Sequence, residues 1–457
     1  MRRYPAYKDS GVEWLGEVPE GWEVKCLRMI ADELQTGPFG SQLHTEDYVT
    51  AGVPIVNPSN ILDGQIVPDD EIGVDEATAL RLSNHALLPG DIILGRRGEL
   101  GRCAVVPDGT MPLLCGTGSL RIRLKSSQAL PDFIAECIRT PRVREWLSLQ
   151  SVGSTMDNLN TAIVGKIQIA LPSLPEQRAI TAFLNRETAK IDALVEEQRR
   201  LIALLAEKRQ AVLNHAVTRG LNPDAPLKPS GIDWLGDIPE GWEVRPLKSV
   251  ATVQTGIAKG KAVDPLKRLE IPYVRVANVQ DGYLDLAEVA TIEIEANQVD
   301  RYLLRPGDVL MNEGGDFDKL GRGAIWGGEV SPCIHQNHVF AVRPADISSG
   351  WLSTIIGSDY AKFYFMTRSK QSTNLASISS TNLMNLPVLM PGSDEQQGII
   401  AFLREEEDAF DALTSTATTA IALLQERRAA LISAAVTGKI DVRDLSSQSL
   451  SECLEPA

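Results

Sequence analysis

No run of about 18 apolar residues occurs in the 457-residue sequence, which excludes a helical membrane span. The opening MRRYPAYKDSG has two arginines but no apolar stretch behind them, so no signal peptide is read and a cytoplasmic location is expected. Cysteine is scarce: six residues stand at 26, 103, 115, 137, 333 and 453 with no C-x-x-C pair, which points to reduced, mostly buried thiols. A basic excess is lacking too. Lys and Arg number 45 against 60 Asp and Glu, a net charge of −15, so strong phosphate attraction by the whole chain is not expected.

The signatures of several chemistries are also missing. NPSN at 57–60 lacks the second proline and the aromatic of an adenine-methyltransferase motif. GIAKGKAV fails the last position of a phosphate-binding G-x-x-x-x-G-K-[ST] loop, and GRRGELG at 95–101 is not G-x-G-x-x-G. No G-x-S-x-G occurs, and no local carboxylate cluster suggests a nuclease site. The best metal candidate is Cys333, His335 and His338 in SPCIHQNH, but no fourth ligand follows at zinc spacing, so no metal site is expected. The expectation is a chain without catalytic residues of its own.

What is present is a sequence written twice. Ser10–Arg28 reads SGVEWLGEVPEGWEVKCLR and Ser230–Lys248 reads SGIDWLGDIPEGWEVRPLK, identical at 12 of 19 positions at an offset of 220. A second matched stretch follows. Residues 172–218 align without a gap to 391–437, pairing EQRAITAFLNRETAKIDAL with EQQGIIAFLREEEDAFDAL. Between these anchors the copies diverge, with echoes such as LLPGDIILGRRGELGR (87–102) and LLRPGDVLMNEGGDFDKLGR (303–322). Two repeats near 220 residues are domain-plus-connector units, not a solenoid.

Residues 176–217 hold no Pro or Gly and carry a narrow heptad stripe. The predicted seam is Ile180, Leu184, Ile191, Leu194, Leu201 and Leu205, with Ile399, Leu403, Phe410, Leu413, Leu424 and Leu431 in the second copy. About 42 residues at ~1.5 Å each make a rod of ~60 Å that cannot bury its stripe alone. Antiparallel pairing of the two copies is the expected solution; docking of each stripe on another protein is the alternative.

Residues 1–170 and 220–389 are rich in short β signals broken by Gly and Pro, with helical patterns near 131–149 and 350–366, which suggests α+β domains with bent sheets. Trp14, Trp22, Trp234 and Trp242 read as structural plugs at domain edges. Charge is segregated. Residues 51–80 and 281–300 hold acids and no Lys or Arg, whereas 96–144 hold nine Lys/Arg against four acids, including Arg121, Arg123 and Lys125 on one strand face.

The duplicated WLGxxPEGWE segment, TGPFGSQL at 36–43, and the two EQ…AFL stretches resemble the specificity subunit of type I restriction–modification systems over nearly the whole chain, to about residue 440. The resemblance implies two target recognition domains (1–170 and 220–389) with bent β-sheets. They would be joined by conserved helices at 171–219 and 390–440 in an antiparallel, pseudo-twofold coiled coil, with a disordered tail at 441–457. It further implies that each domain reads one half of a split double-stranded DNA target while the coiled coil sets the gap. Partners would be two adenine-methyltransferase (modification) and two motor/nuclease (restriction) subunits, which bind S-adenosylmethionine, ATP and magnesium.

On the chemistry of base edges, the candidate DNA contacts in the first domain are Asn57, Asn60, Arg96, Arg97 and Arg102. Phe39, Ser41 and Gln42 join them from the loop that matches the family motif. The second domain lacks that loop and offers Lys259, Lys261, Arg275, Asn278, Arg322, Gln336 and Asn337. The alternative reading is a non-catalytic coiled-coil scaffold that binds protein only.

Overall fold

The computed structural model describes residues 2–69, 71–151, 158–260, 268–315, 320–371 and 376–443. The chain forms two compact units, 1–198 with 419–457, and 199–418. Each unit therefore takes one variable region and part of each of two long helices, Leu174–Arg219 and Ser393–Val436. The mixed helix and sheet content agrees with the α+β expectation.

Both variable regions are built on the same four-stranded antiparallel sheet. In the first unit the order is Cys103–Val105, Ile92–Gly95, Ser119–Leu124, Ala31–Thr36; in the second it is Gly323–Ile325, Val309–Asn312, Val339–Pro344, Ala251–Thr255. Against it lies a parallel pair, Val53–Val56 with Leu113–Cys115 and, correspondingly, Arg268–Val274 with Ile334–His335. The strands are short and apolar because both faces are covered: Ile92–Gly95 and Val309–Asn312 are buried at every residue.

The turn before the central strand explains the repeated P-G-D. Asp91 accepts the Leu88 amide at 2.8 Å and pairs with Arg123; Asp308 accepts the Arg305 amide at 2.8 Å and pairs with Arg343. Both carboxylates are buried, so each needs a charged partner. Arg121 is 4% exposed and is held by Glu33, Gln35 and the carbonyls of Asn84 and Ala86. Lys125 donates to the Met29 carbonyl. The basic strand that the sequence offers is consumed inside the unit.

Each region is closed where the matched segments meet. Glu23–Cys26 pairs with Gln168–Leu171, and Glu243–Pro246 with Pro387–Met390. The E-Q at each long-helix start is a clamp. Gln177 is fully buried, donates to the Gln128 and Pro172 carbonyls and accepts the Leu130 amide; Gln396 donates to the Pro391 carbonyl. Trp22 and Trp242 are buried and Trp14 is half-buried, in keeping with plugs, but Trp234 is half-exposed beside Tyr360, Phe363 and Tyr364. Each expected helix near 131–149 and 350–366 is two helices. Pro141 opens a new first turn, and the Ser358 hydroxyl caps a helix that begins at Asp359.

Within each unit the long helices run antiparallel. In the first, Asp192 pairs with Arg428, and Ile180 and Leu184 share a core with Ile432 and Ala435. In the second, Arg209 pairs with Asp411 and Glu407, while Ala216 and Val217 share a core with Ile399 and Leu403. Most of the predicted seam is covered: Ile180, Leu184, Ile191, Leu205, Ile399, Leu403 and Phe410 are buried, Leu424 and Leu431 half-buried. Leu194, Leu201 and Leu413 are not; they face solvent. The covered line runs 191, 195, 198, 202, 205 in one helix and 410, 414, 417, 421, 424 in the other. It steps four residues, then three, so the second heptad row lies one residue later than predicted. Leucine favours a helix on any face, so leucines at 194 and 201 marked the helix without marking its buried side.

Candidate nucleic-acid interface

Four segments converge beyond the end of the central strand in each unit, and the same hydrogen bonds hold them. In the first unit the Gly95 amide donates to the Arg102 carbonyl at 2.8 Å, Arg96 to Gly118 at 2.8 Å, Gly116 to Val56 at 2.9 Å and Leu159 to Arg96 at 3.0 Å. In the second, Asn312 donates to Arg322 at 2.9 Å, Glu313 to His338 at 2.9 Å, Gln336 to Val274 at 2.9 Å and Ile378 to Glu313 at 2.9 Å. The backbone frame is therefore the same, position for position, while the side chains on it differ.

Asn60 and Asn278 build this frame. Both are buried; Asn60 accepts the Asn57 amide and donates to the Val67 carbonyl, and Asn278 accepts the Arg275 amide and donates to the Asp285 and Glu288 carbonyls. Their amides are spent on the turn. The frame places Asn57 opposite Arg275 and Arg102 opposite Arg322. Arg102 donates to the Pro58 carbonyl and pairs with Glu99, whose carboxyl is held below its usual range by that bond and by Arg144. Arg322 donates to Gln280.

Arg96 is half-buried. Its Nε donates to the Leu159 carbonyl at 2.7 Å, and burial, ahead of the neighbouring Arg97, lowers its pKa. Arg97 is exposed. Gln336 and Asn337 stand half-buried at the places of Gly116 and Thr117. Both T-G loops reach this edge. A Cβ on Gly37 would lie 1.9 Å from the Gly116 carbonyl, and one on Gly256 2.0 Å from that of His335, so only glycine permits the approach. Beyond Gly37, Phe39 is exposed, Ser41 lies in the turn Gly40–Gln42, and Gln42 accepts the Phe39 amide. Beyond Gly256, Lys259 is exposed, and Lys261 lies outside the described residues.

The expected DNA contacts did not include Asn312, Glu313 or Gly116, and His338 was read only as a metal candidate. The pairing of LPGDIILGRR with RPGDVLMNEG contains the signal for two of them: reading on from P-G-D puts Gly95 against Asn312 and Arg96 against Glu313.

The metal candidates separate. The Cys333 thiol meets the Ile334 carbonyl, His335 Nδ1 is 2.7 Å from the Val339 carbonyl, and His338 Nδ1 is 2.7 Å from Glu313. Among the described residues no group of three or more His, Cys, Asp or Glu side chains could hold a metal ion. No helix among them is long and apolar enough to cross a membrane.

The comparisons with known proteins agree on one family. The family model described as Type I restriction modification DNA specificity domain matches residues 19–202 and 239–423. The type I restriction enzyme StySPI specificity subunit of Salmonella potsdam is 22% identical over 437 residues, covering 93% of this chain and 90% of that protein. The EcoKI specificity subunit of Escherichia coli (strain K12) is 21% identical over 438 residues, with coverage of 93% and 90%. Among solved structures, the HsdS subunit from Thermoanaerobacter tengcongensis superposes with a TM-score of 0.54 at 20% identity, over 93% of this chain and 98% of that one. A chain from a structure on complex assembly and conformational transition of the type I R-M system gives 0.63 at 21% identity, over 93% and 99%. At this identity the structural likeness speaks for the fold.

Proposed function

The chain belongs to the type I restriction modification DNA specificity family, and from that premise we propose that each of its two units reads one half of a split double-stranded DNA target. The single observation that carries this reading is the duplicated hydrogen-bond frame: one scaffold, present twice, with different side chains at the same edge. A duplicated scaffold with changed edges suits two readers of unlike sequences. Family membership fits a DNA reader and not the scaffold alternative.

In this reading 1–170 and 220–389 are the target recognition domains. The helices of 171–219 and 390–440 form the antiparallel, pseudo-twofold coiled coil that fixes the gap between half-sites. Of the segment 441–457, expected to be a disordered tail, Asp441 and Val442 are instead placed on the first unit, where the Asp441 amide donates to the Arg2 carbonyl and Val442 is buried. Residues from 444 on lie outside the described residues. The chain does no chemistry. Two methyltransferase subunits dock on it and two motor/nuclease subunits join for cleavage, bringing S-adenosylmethionine, ATP and magnesium to their own sites. Exposed leucines support such docking: Leu194 and Leu423 in the first unit, Leu201, Leu204 and Leu413 in the second.

Phosphate contacts outnumber base contacts in such interfaces, so Arg97, Lys259 and Lys261 are assigned to positioning, and the frame side chains to reading. The test is co-expression with the partner methyltransferase, followed by single-molecule sequencing of host DNA for N6-methyladenine. A split motif that disappears when this chain is deleted is expected. A stable complex that leaves no motif would sink the reading.

A further inference from the structure

We propose that base choice in each half-site is made at two exchanges on the shared frame: Arg96 against Glu313, and the pair Asn57–Gly116 against Arg275–Gln336. The proposal rests on the DNA-reading function above and deepens it by naming the positions that choose and the base groups they take.

Residues 96 and 313 are held by the same two bonds, an amide donated to residue 118 or 338 and a carbonyl accepting from residue 159 or 378. Their side chains therefore leave the frame from the same place with opposite charge. Arginine presents only donors and matches the O6 and N7 acceptors of guanine; glutamate presents only acceptors and matches the N4 amine of cytosine. Phosphates repel a carboxylate, so Glu313 suits the groove floor rather than the backbone. Each side chain is oriented before it meets DNA, Arg96 through Nε to the Leu159 carbonyl at 2.7 Å and Glu313 through His338 Nδ1 at 2.7 Å.

The second exchange is coupled. A Cβ on Gly116 would lie 2.2 Å from Asn57 Oδ1 and 2.7 Å from the Val56 carbonyl, so the first unit holds Asn57 in this orientation only with glycine at 116. The second unit places Gln336 there, and its partner position carries Arg275, whose Nε is buried without a hydrogen-bond partner. Asn57 suits adenine and Arg275 suits guanine. Asn57 in this orientation thus excludes a side chain at 116, whereas the second reader carries Arg275 together with Gln336.

The test maps N6-methyladenine in hosts that express the assembled complex with wild-type chain, R96E, E313R, E313Q or N57R/G116Q. E313R is expected to change the preferred base at a position in one half-site by roughly tenfold to hundredfold, leaving the gap and the other half unchanged. R96E and N57R/G116Q should each do the same to the opposite half. If E313R methylates nothing, E313Q decides, because it keeps the size and the contact with His338. An altered base in its half supports the proposal. An unchanged motif, or complete loss with both, overturns it, since a base-choosing residue redirects the target. R96E and E313R changing the same half would overturn it as well, and an unchanged first half with N57R/G116Q overturns the coupled pair. In each of these cases the wild-type motif shows that the DNA-reading function stands. Absence of any motif with the wild-type chain removes that function, and the proposal with it.

Discussion

His335 occupies in the second unit the place that Cys115 holds in the first, each at the end of the parallel strand pair. Both are buried in apolar surroundings, and both stay neutral for that reason: burial pushes the Cys115 thiol up to about 12 and brings the His335 ring down to about 4 from 6.5. A histidine whose folded pKa is depressed stabilises the fold fully above its unfolded value and loses that contribution as pH falls through the folded one. The second unit should therefore weaken between pH 6.5 and about 4, by at most ~1.4 kcal/mol per pH unit. H335C, which installs the residue of the first unit, is expected to flatten that dependence in thermal unfolding scans at pH 7 and pH 5. Equal slopes for the two proteins would remove His335 as the cause. At this scale the sequence was a partial guide. It offered Asn57, Asn60, Arg275 and Asn278 alike as DNA contacts, but that Asn60 and Asn278 are tied to backbone carbonyls depends on bonds to residues seven to ten positions away.

The long helices show how far periodicity carries an element. Their existence and extent follow from a long helical pattern written twice, free of Pro and Gly over 176–217 and broken only by Gly398 in the first turn of the second copy. Their antiparallel partnership within each unit was the expected pairing, with docking on another protein as the alternative. The buried face does not follow, because rows three and four residues apart compete and the choice rests on what packs opposite. Val195 is 7% exposed and Leu194 50%. V195D should destabilise the first unit by about 3 kcal/mol, since it buries an unpaired carboxylate, while L194D should stay within about 0.5 kcal/mol. Urea unfolding of the two variants checks this, and a larger loss for L194D would restore the predicted seam. Strands behave differently. PGDIIL and PGDVLM were legible as strands, yet the strand order of each sheet needed the register itself.

For the whole molecule, the first unit contains a junction that the second forms with continuous chain. The Asp441 amide donates to the Arg2 carbonyl at 2.9 Å, and the Tyr7 hydroxyl donates to the Gly438 carbonyl at 3.1 Å. Gly438, at φ +72°, lies against Trp22 as Gly220, at φ +74°, lies against Trp242. From Gly220 the chain runs on into the hairpin of Leu227–Pro229 and Asp237–Pro239, the counterpart of Tyr7–Asp9 with Glu17–Pro19. A permuted chain that joins residue 443 to residue 2 and opens between 221 and 226 is thus expected to keep the fold and the methylated motif. Circular dichroism melting and motif mapping of the permuted complex test it; a lost melting transition would mean that the connection at 220–227 is needed for folding.

What belongs to the sequence here is whatever local identity or periodicity can express: the doubling, the helices, the order of variable and matched segments, the family. Those features depend on side chains near one another along the chain. The correspondence of Gly116 with Gln336, the internal use of Arg121 and Arg123, and the row of the seam belong to the tertiary structure. They depend on backbone bonds and packing between distant segments, whose offset drifts from 217 at Arg96/Glu313 to 220 at Gly116/Gln336, and a backbone amide has the same chemistry whichever residue carries it.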